Sequence, residues 1–287
     1  MRDEKKKKSS NFIPHPSSLF PKKSLGQNFL VDERVLERII REVSPRDDET
    51  IVEIGPGRGA LTSRLIERAG RVVAVELDRD LAGLLRERFR SQESFTLVEG
   101  DALVVDLCSL IAPATRARVV ANLPYYISTA ILQRLIEQRG CLPEMVLMLQ
   151  REVVERITAP PGTSERGFLS VLVEAYCETE ALFDVAPTSF RPVPKVWSTV
   201  VRLRAHERLA AAVNDEALLW SVVSAGFAQR RKTIFNNLRA ALDALRSLIE
   251  MKGGAASLLE NAKIEPKRRA ETLTLEEWAR LAHVLEE

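Results

Sequence analysis

The spacing of apolar positions along the chain alternates between helical and extended periods, and each change marks an element. Behind Asp32, a candidate N-cap, Val35, Leu36, Ile39, Ile40 and Val43 recur at the steps of one helix face until Pro45. Thr50-Ile51-Val52-Glu53-Ile54 then predicts a buried strand, a glycine-rich turn follows, and Leu61 to Ala69 predicts a helix. The alternation continues through strand-like Arg71 to Glu76, helical Leu81 to Phe89, strands at Ser94 to Val98 and Arg118 to Ala121, a helix at Ala130 to Gln138 and a strand at Met145 to Leu149. Such alternation predicts right-handed βαβ units and an α/β fold with a mostly parallel sheet covered on both faces. Phe168 to Cys177 and Thr199 to Leu203, separated by Pro187, Pro192 and Pro194, are expected to add a hairpin at one edge. After His206 the pattern is helical throughout, broken at Gly253-Gly254. The expected organisation is a flexible basic arm over residues 1–23, an α/β domain over 24–205 and a small all-helical C-terminal domain over 206–287.

Composition narrows the class. The 287 residues are 45% hydrophobic and 29% charged, too apolar for a disordered chain and too poor in Gly and Pro for a fibrous one. No run approaches eighteen apolar residues, so no membrane span is expected. The lysine-rich start is followed by Ser, Asn and Pro rather than an apolar block, which argues against a secretory leader and makes the cytoplasm the expected location. Cys108, Cys141 and Cys177 are odd in number and far apart, so they are expected to pack as small apolar side chains, with no disulfide and no metal site. A monomer is expected.

Charge is unevenly placed. Against a formal total of +2, residues 1–23 carry a local +5 and residues 191–270 a local +8, which leaves the remainder at −11. The two basic regions suit a polyanion, and nucleic acid is the partner they suggest.

Three segments carry chemistry. Val52-Glu53-Ile54-Gly55-Pro56-Gly57-Arg58-Gly59-Ala60 stands at a strand-to-helix junction, where glycines let a ligand approach the backbone and helix-start N–H groups favour a polar or negative group. Gly55, Gly57 and Ala60 also satisfy G-x-G-x-x-A, so this turn alone does not separate NAD from another adenosine cofactor. Glu76, about twenty residues on at the end of the next strand, is placed to accept both hydroxyls of a ribose. Asp101, after the third strand in Gly100-Asp101-Ala102, is placed to accept from an adenine amino group. Finally, Asn122-Leu123-Pro124-Tyr125 follows the fourth strand. The Asn122 side-chain oxygen and the Leu123 carbonyl can together accept both hydrogens of a planar amine, Pro124 fixes the chain direction and Tyr125 offers a face for stacking a base. An exocyclic adenine amine has its lone pair delocalised into the ring, and binding its protons helps it act as a nucleophile.

These motifs, with Gly26-Gln27-Asn28-Phe29-Leu30, Pro194-Lys195-Val196, Val200-Val201-Arg202-Leu203 and Phe227-Ala228-Gln229-Arg230-Arg231-Lys232-Thr233, resemble the small-subunit (16S) ribosomal RNA adenine N6,N6-dimethyltransferases, in order and from about residue 22 onward. The resemblance implies a Rossmann-like class I methyltransferase domain that uses S-adenosylmethionine to dimethylate two adjacent adenosines in the 3′-terminal hairpin of small-subunit rRNA, during assembly of a 30S-type particle. Position by position it implies Asn28, Leu30, Gly55, Glu76, Asp101 and Asn122 as cofactor and catalytic contacts; Gly57 and Ala102, in the same motifs, complete the expected cofactor set. Asn122, Leu123, Pro124, Tyr125 and Phe190 form the expected catalytic set, with Phe190 on the opposite face of the base from Tyr125. Two positions depart from the family pattern: Tyr126, where Asn is common, and Trp197, where Asp is frequent.

For RNA, a helix is predicted across 227–238, with Phe227, Ile234 and Leu238 on one face and Arg230 and Arg231 flanking it. Lys195, Arg230, Arg231 and Lys232 are the expected RNA contacts, positioning phosphates while the target base leaves its stack. Other readings are a large-subunit rRNA adenine methyltransferase of the macrolide-resistance type, a non-catalytic RNA-binding assembly factor of the same fold, and an NAD enzyme. The Pro56 turn and the 227–238 helix favour the small-subunit enzyme over the first.

Overall fold

A computed structural model of the chain describes Lys22 and residues 26–286. The expected basic arm therefore lies, Lys22 apart, outside the described residues. In chain order the elements are β1 (Phe29–Leu30), α1 (Glu33–Val43), β2 (Thr50–Ile54), α2 (Ala60–Ile66), β3 (Arg71–Glu76), α3 (Arg79–Arg88), β4 (Phe95–Glu99), α4 (Leu107–Leu110), β5 (Arg118–Asn122) and α5 (Ser128–Glu137). They continue as β6 (Glu144–Gln150), α6 (Arg151–Ile157), α7 (Phe168–Tyr176), β7 (Cys177–Val185), β8 (Phe190–Arg191), β9 (Ser198–Ala205), α8 (Glu216–Gly226), α9 (Ile234–Arg239), α10 (Asp243–Met251), α11 (Gly254–Asn261) and α12 (Leu275–Glu286). The fold class is the expected one, α/β followed by helices. Among the described residues no helix is long and apolar enough to cross a membrane.

The chain divides into two compact units. The first holds Met1–Ile131 with Ala186–Lys195. Its core is a parallel ladder in the order β4-β3-β2-β5. Every residue of β2 is buried, as a strand with neighbours on both sides and helices over both faces requires. Helix α1 follows its pattern closely: Asp32 caps it by accepting from the Arg34 N–H at 3.0 Å, and Leu36, Ile39, Ile40 and Val43 are its buried stripe. It ends at Ser44, in the left-handed region, one residue before Pro45. Strands β1 and β8 form a separate antiparallel pair in which Leu30 lies opposite Phe190.

The second unit holds Leu132–Val185 with Val196–Glu287. Its strands β6, β9 and β7 are antiparallel, with β9 in the middle. After β9 every α or β element is helical, as the pattern past His206 predicts. Two expectations fail here. Phe168–Tyr176 is a helix, and the hairpin strand begins only at Cys177. The run Phe-Leu-Ser-Val-Leu-Val-Glu-Ala-Tyr is apolar on nearly every side, so its period is silent; Ser170 Oγ accepting from the Gly167 N–H at 2.9 Å fixes a helix start that periodicity does not show. Nor is there one helix across 227–238. Helix α8 stops at Gly226 and α9 begins at Ile234, where the Thr233 side chain caps it by accepting from the Asn236 N–H at 3.3 Å. Glycine, a weak helix former, ends α8 with Phe227 as its C-cap, and the capping threonine starts α9 seven residues on. Phe227 packs against Trp278 and Ile234 and Leu238 are buried, so the apolar side of the pattern is real while the continuous helix is not. The 227–238 helix thus no longer favours the small-subunit reading; the Pro56 turn is unaffected.

The cysteines also differ from expectation. Cys177 is a free, buried thiol, its pKa pushed up to about 12 by burial, whereas Cys108 and Cys141 are disulfide-bonded. An odd number of cysteines does not exclude disulfide bonding.

Candidate active site

Parallel register builds the site. Ile54 lies opposite both Val75 and Ala121, and Val75 lies opposite Val98. The residues that follow, Gly55, Glu76, Gly100-Asp101 and Asn122, therefore emerge together at the carboxyl ends of four neighbouring strands, where doubly wound sheets bind ligands. They line one open cleft at that end of the ladder. Asn28, Gly57, Ala102, Leu123, Pro124 and Tyr125 line it as well.

The glycine turn owes its shape to Gly57. Its φ is +59°, and a Cβ there would stand 3.1 Å from the Phe29 ring, so both backbone and space demand glycine. The Arg58 guanidinium lies 4.5 Å from the centroid of that same ring. Glu76 is 6% exposed, and each of its carboxylate oxygens accepts one backbone amide: Oε2 from Gly57 at 3.1 Å and Oε1 from Asp78 at 2.9 Å. Burial raises its pKa, and these amide bonds pull the other way. A carboxylate offers about four acceptor positions, more than these amides use, which suits a diol. Asp101 Oδ1 accepts from the Leu103 N–H at 2.9 Å, which fixes the acid just beyond β4. Asn122 donates from Nδ2 to the Asn28 carbonyl at 3.2 Å. With its nitrogen so committed, the amide oxygen is the end of this side chain left to accept from a ligand. Tyr125 stands in the turn closed by the Ile127 N–H donating to the Pro124 carbonyl at 3.2 Å.

Beneath the turn lies Glu53, buried on β2 at 2% exposure. Burial pushes its carboxyl up to about 8 against the opposing effect of the Thr62 hydroxyl, with the charge on Glu76 adding to the rise, and among the described residues its Oε2 has no hydrogen-bond partner.

Of the expected site residues, the cleft gathers Asn28, Gly55, Gly57, Glu76, Asp101, Ala102, Asn122, Leu123, Pro124 and Tyr125. Leu30 and Phe190 do not line it. They are buried as partners in the β1–β8 pair, Phe190 completely. Lys195 is exposed in the first unit; Arg230, Arg231 and Lys232 are exposed in the second, on the turn between α8 and α9. Phe29, Leu77 and Ile127 line the cleft without having been singled out. Leu77 carried a signal, a large apolar residue directly after the acid that ends a strand, and it is 45% exposed. Tyr126, one of the departures, is 55% exposed and packs its ring against Gly26 at the cleft. Trp197, the other departure, lies under the Arg151 guanidinium, 6.0 Å from its ring centroid.

A parallel α/β unit with a glycine turn on its first ladder strand and acids at the ends of the next two defines a nucleotide-cofactor-binding domain of the methyltransferase kind. Residues 20–282 match the family model for ribosomal RNA adenine dimethylases. The chain is 44% identical over 263 residues to the ribosomal RNA small subunit methyltransferase A of Hahella chejuensis, spanning 91% of each. It is 42% identical to the protein of the same name from Chromohalobacter salexigens, spanning 100% of this chain and 99% of that one. In fold it is similar to a dimethyladenosine transferase from Plasmodium falciparum, with a TM-score of 0.72 at 23% identity, covering 88% of this chain and 95% of that one. It is also similar to the 23S rRNA methyltransferase ErmE, with a TM-score of 0.66 at 27% identity, covering 91% and 100%. The chain belongs to the ribosomal RNA adenine dimethylase family.

Proposed function

We propose that the protein transfers methyl groups from S-adenosylmethionine to N6 of two adjacent adenosines in the 3′-terminal hairpin of small-subunit rRNA, within an assembly intermediate and in the cytoplasm. The observation that carries this reading is the alignment of Gly55, Glu76, Asp101 and Asn122 along one sheet edge, with Tyr125 three residues past the last. The names of the relatives support the choice of RNA.

The donor set fits the cofactor. Glu76 would accept from the ribose hydroxyls, Asp101 from the adenine amino group, and Gly55, Gly57, Asn28, Leu77 and Ala102 would form the walls. When bound, the cofactor supplies an electrophilic methyl carbon on a sulfonium. The protein then has to orient and desolvate the amine and free its lone pair. Asn122 Oδ1 and the Leu123 carbonyl would accept both N6 protons, which localises the lone pair on nitrogen, and Tyr125 would stack the base. Phe190, buried behind Leu30 in the β1–β8 pair, would support this wall and needs a shift to reach the base itself. The nitrogen becomes acidic only after it has formed its new bond and can then lose its proton to water, so no strong base is required; His206 and His283 do not line the cleft.

For RNA we propose Lys195, Arg230, Arg231 and Lys232 as phosphate contacts and the helices after residue 206 as an RNA-binding part. The test is transfer of labelled methyl from S-adenosylmethionine to under-methylated small subunits, with large subunits and nicotinamide cofactor binding as controls. Label in small-subunit RNA alone is expected; label in large-subunit RNA alone, or binding of NAD in place of the methyl donor, would reverse the assignment.

A further inference from the structure

The turn that carries Glu76 is tied to the start of the chain by a compact polar cluster. Asp78, 4% exposed, accepts from Lys22 Nζ at 2.6 Å and from the Asp80 N–H at 3.0 Å on Oδ1, and from Gln27 Nε2 at 3.0 Å on Oδ2. Lys22 also reaches Asp80 Oδ2 at 2.7 Å, and its own N–H donates to Gln27 Oε1 at 2.8 Å. The backbone N–H of Asp78, in turn, donates to Glu76 Oε1 at 2.9 Å. Lys22 bridges the two carboxylates; neither it nor Asp78 lines the cleft, whereas Gln27 lies on its wall.

We propose that Lys22 and Gln27 are positioning residues for the cofactor's ribose: by fixing both oxygens of Asp78 they hold its backbone amide on Glu76, and so set the direction in which the Glu76 carboxylate presents its free lone pairs. This inference rests on the reading of Glu76 as the ribose acceptor. The electrostatics agree with it. Burial acts to raise the Asp78 pKa, yet the bonds from Lys22 and Gln27 outweigh it and hold the acid below the usual range, while the bonds to Asp78 and Asp80 raise that of Lys22. An ionised Asp78 keeps both acceptor oxygens available to the cluster.

A role exerted through Glu76 has a signature that general destabilisation lacks. Binding of S-adenosylhomocysteine and of its 2′-deoxyribose analogue is measured by calorimetry for the wild type and for Lys22→Met, Lys22→Arg and Gln27→Leu. The wild type is expected to prefer the full ribose by about tenfold or more, since a hydrogen bond to a charged acceptor is lost in the analogue. In Lys22→Met and Gln27→Leu the full ligand weakens and the analogue does not, so the preference shrinks to about two- to threefold; Lys22→Arg restores it. Equal weakening of both ligands, or an unchanged preference, would overturn the inference. A wild type without any preference would instead overturn the assignment of Glu76 to the ribose, which separates the two failures. Thermal unfolding of each variant, expected within a few degrees of wild type, shows that the comparison is made on folded protein.

Discussion

Asn122 is the residue on which the proposed chemistry turns. Its Nδ2 is spent on the Asn28 carbonyl, which orients the side chain, and its oxygen is the proposed acceptor for the target amine. Asn122→Ala is expected to slow single-turnover methyl transfer by about 100-fold or more, on the order of 3 kcal/mol in the barrier, while S-adenosylhomocysteine binding changes little. Loss of binding with normal turnover at saturation would move Asn122 from the reaction to the cofactor. Glu53 makes a different prediction. In the unfolded chain its carboxyl ionises near 4.5, and in the folded protein it keeps its proton to about 8. The folded state therefore binds the extra proton, and Glu53's contribution to stability is complete below 4.5 and is lost as pH rises through about 8. Denaturation at a series of pH values should show Glu53→Gln with a flatter profile than wild type and a relative gain above pH 8; parallel profiles would mean that Glu53 is ionised in the fold.

At the scale of elements, glycine and threonine set the boundaries that matter. Gly226 closes α8 against Trp278, whose Cζ3 would lie 2.8 Å from an added Cβ, with the Ile234 side chain at 3.1 Å. Gly226→Ala should cost about 1–3 kcal/mol by overpacking, read as a lower midpoint in urea; an unchanged midpoint would mean that Trp278 has room to move. The turn after it carries Arg231 and Lys232, both exposed. Reversing both to Glu should weaken RNA binding and lower the salt slope by about 2, with cofactor affinity unchanged; a fall in both affinities would indicate misfolding. What was legible in the sequence follows the same division. The parallel ladder is readable because buried strands and amphipathic helices alternate there with contrasting periods, and Gly55, Glu76, Asp101 and Asn122 sit at or just past strand ends. Phe168–Tyr176 is not readable, because a run apolar on all sides has no period, and the break from Gly226 to the Thr233 cap leaves the apolar spacing of Phe227, Ile234 and Leu238 unchanged. Leu77 and Phe29 were overlooked because apolar residues in a loop look like ordinary core unless the cleft beside them is known.

Over the whole molecule, charge and cleft assign two tasks to different parts of the sequence. The segment between the two basic regions carries the cleft proposed for the cofactor and is acidic, while the stretch from 191 to 270 carries a local +8. Binding to small-subunit RNA should therefore weaken linearly in log K against log salt, and a flat line would remove phosphate contacts from the account. Nucleoside mass spectrometry tests the proposed activity most directly. Small subunits lacking the modification are incubated with the protein and S-adenosylmethionine, and their RNA is digested and mapped. Two N6,N6-dimethyladenosines per particle, side by side in the 3′-terminal hairpin, are predicted; an unmodified hairpin beside an intact, cofactor-binding protein would contradict the account.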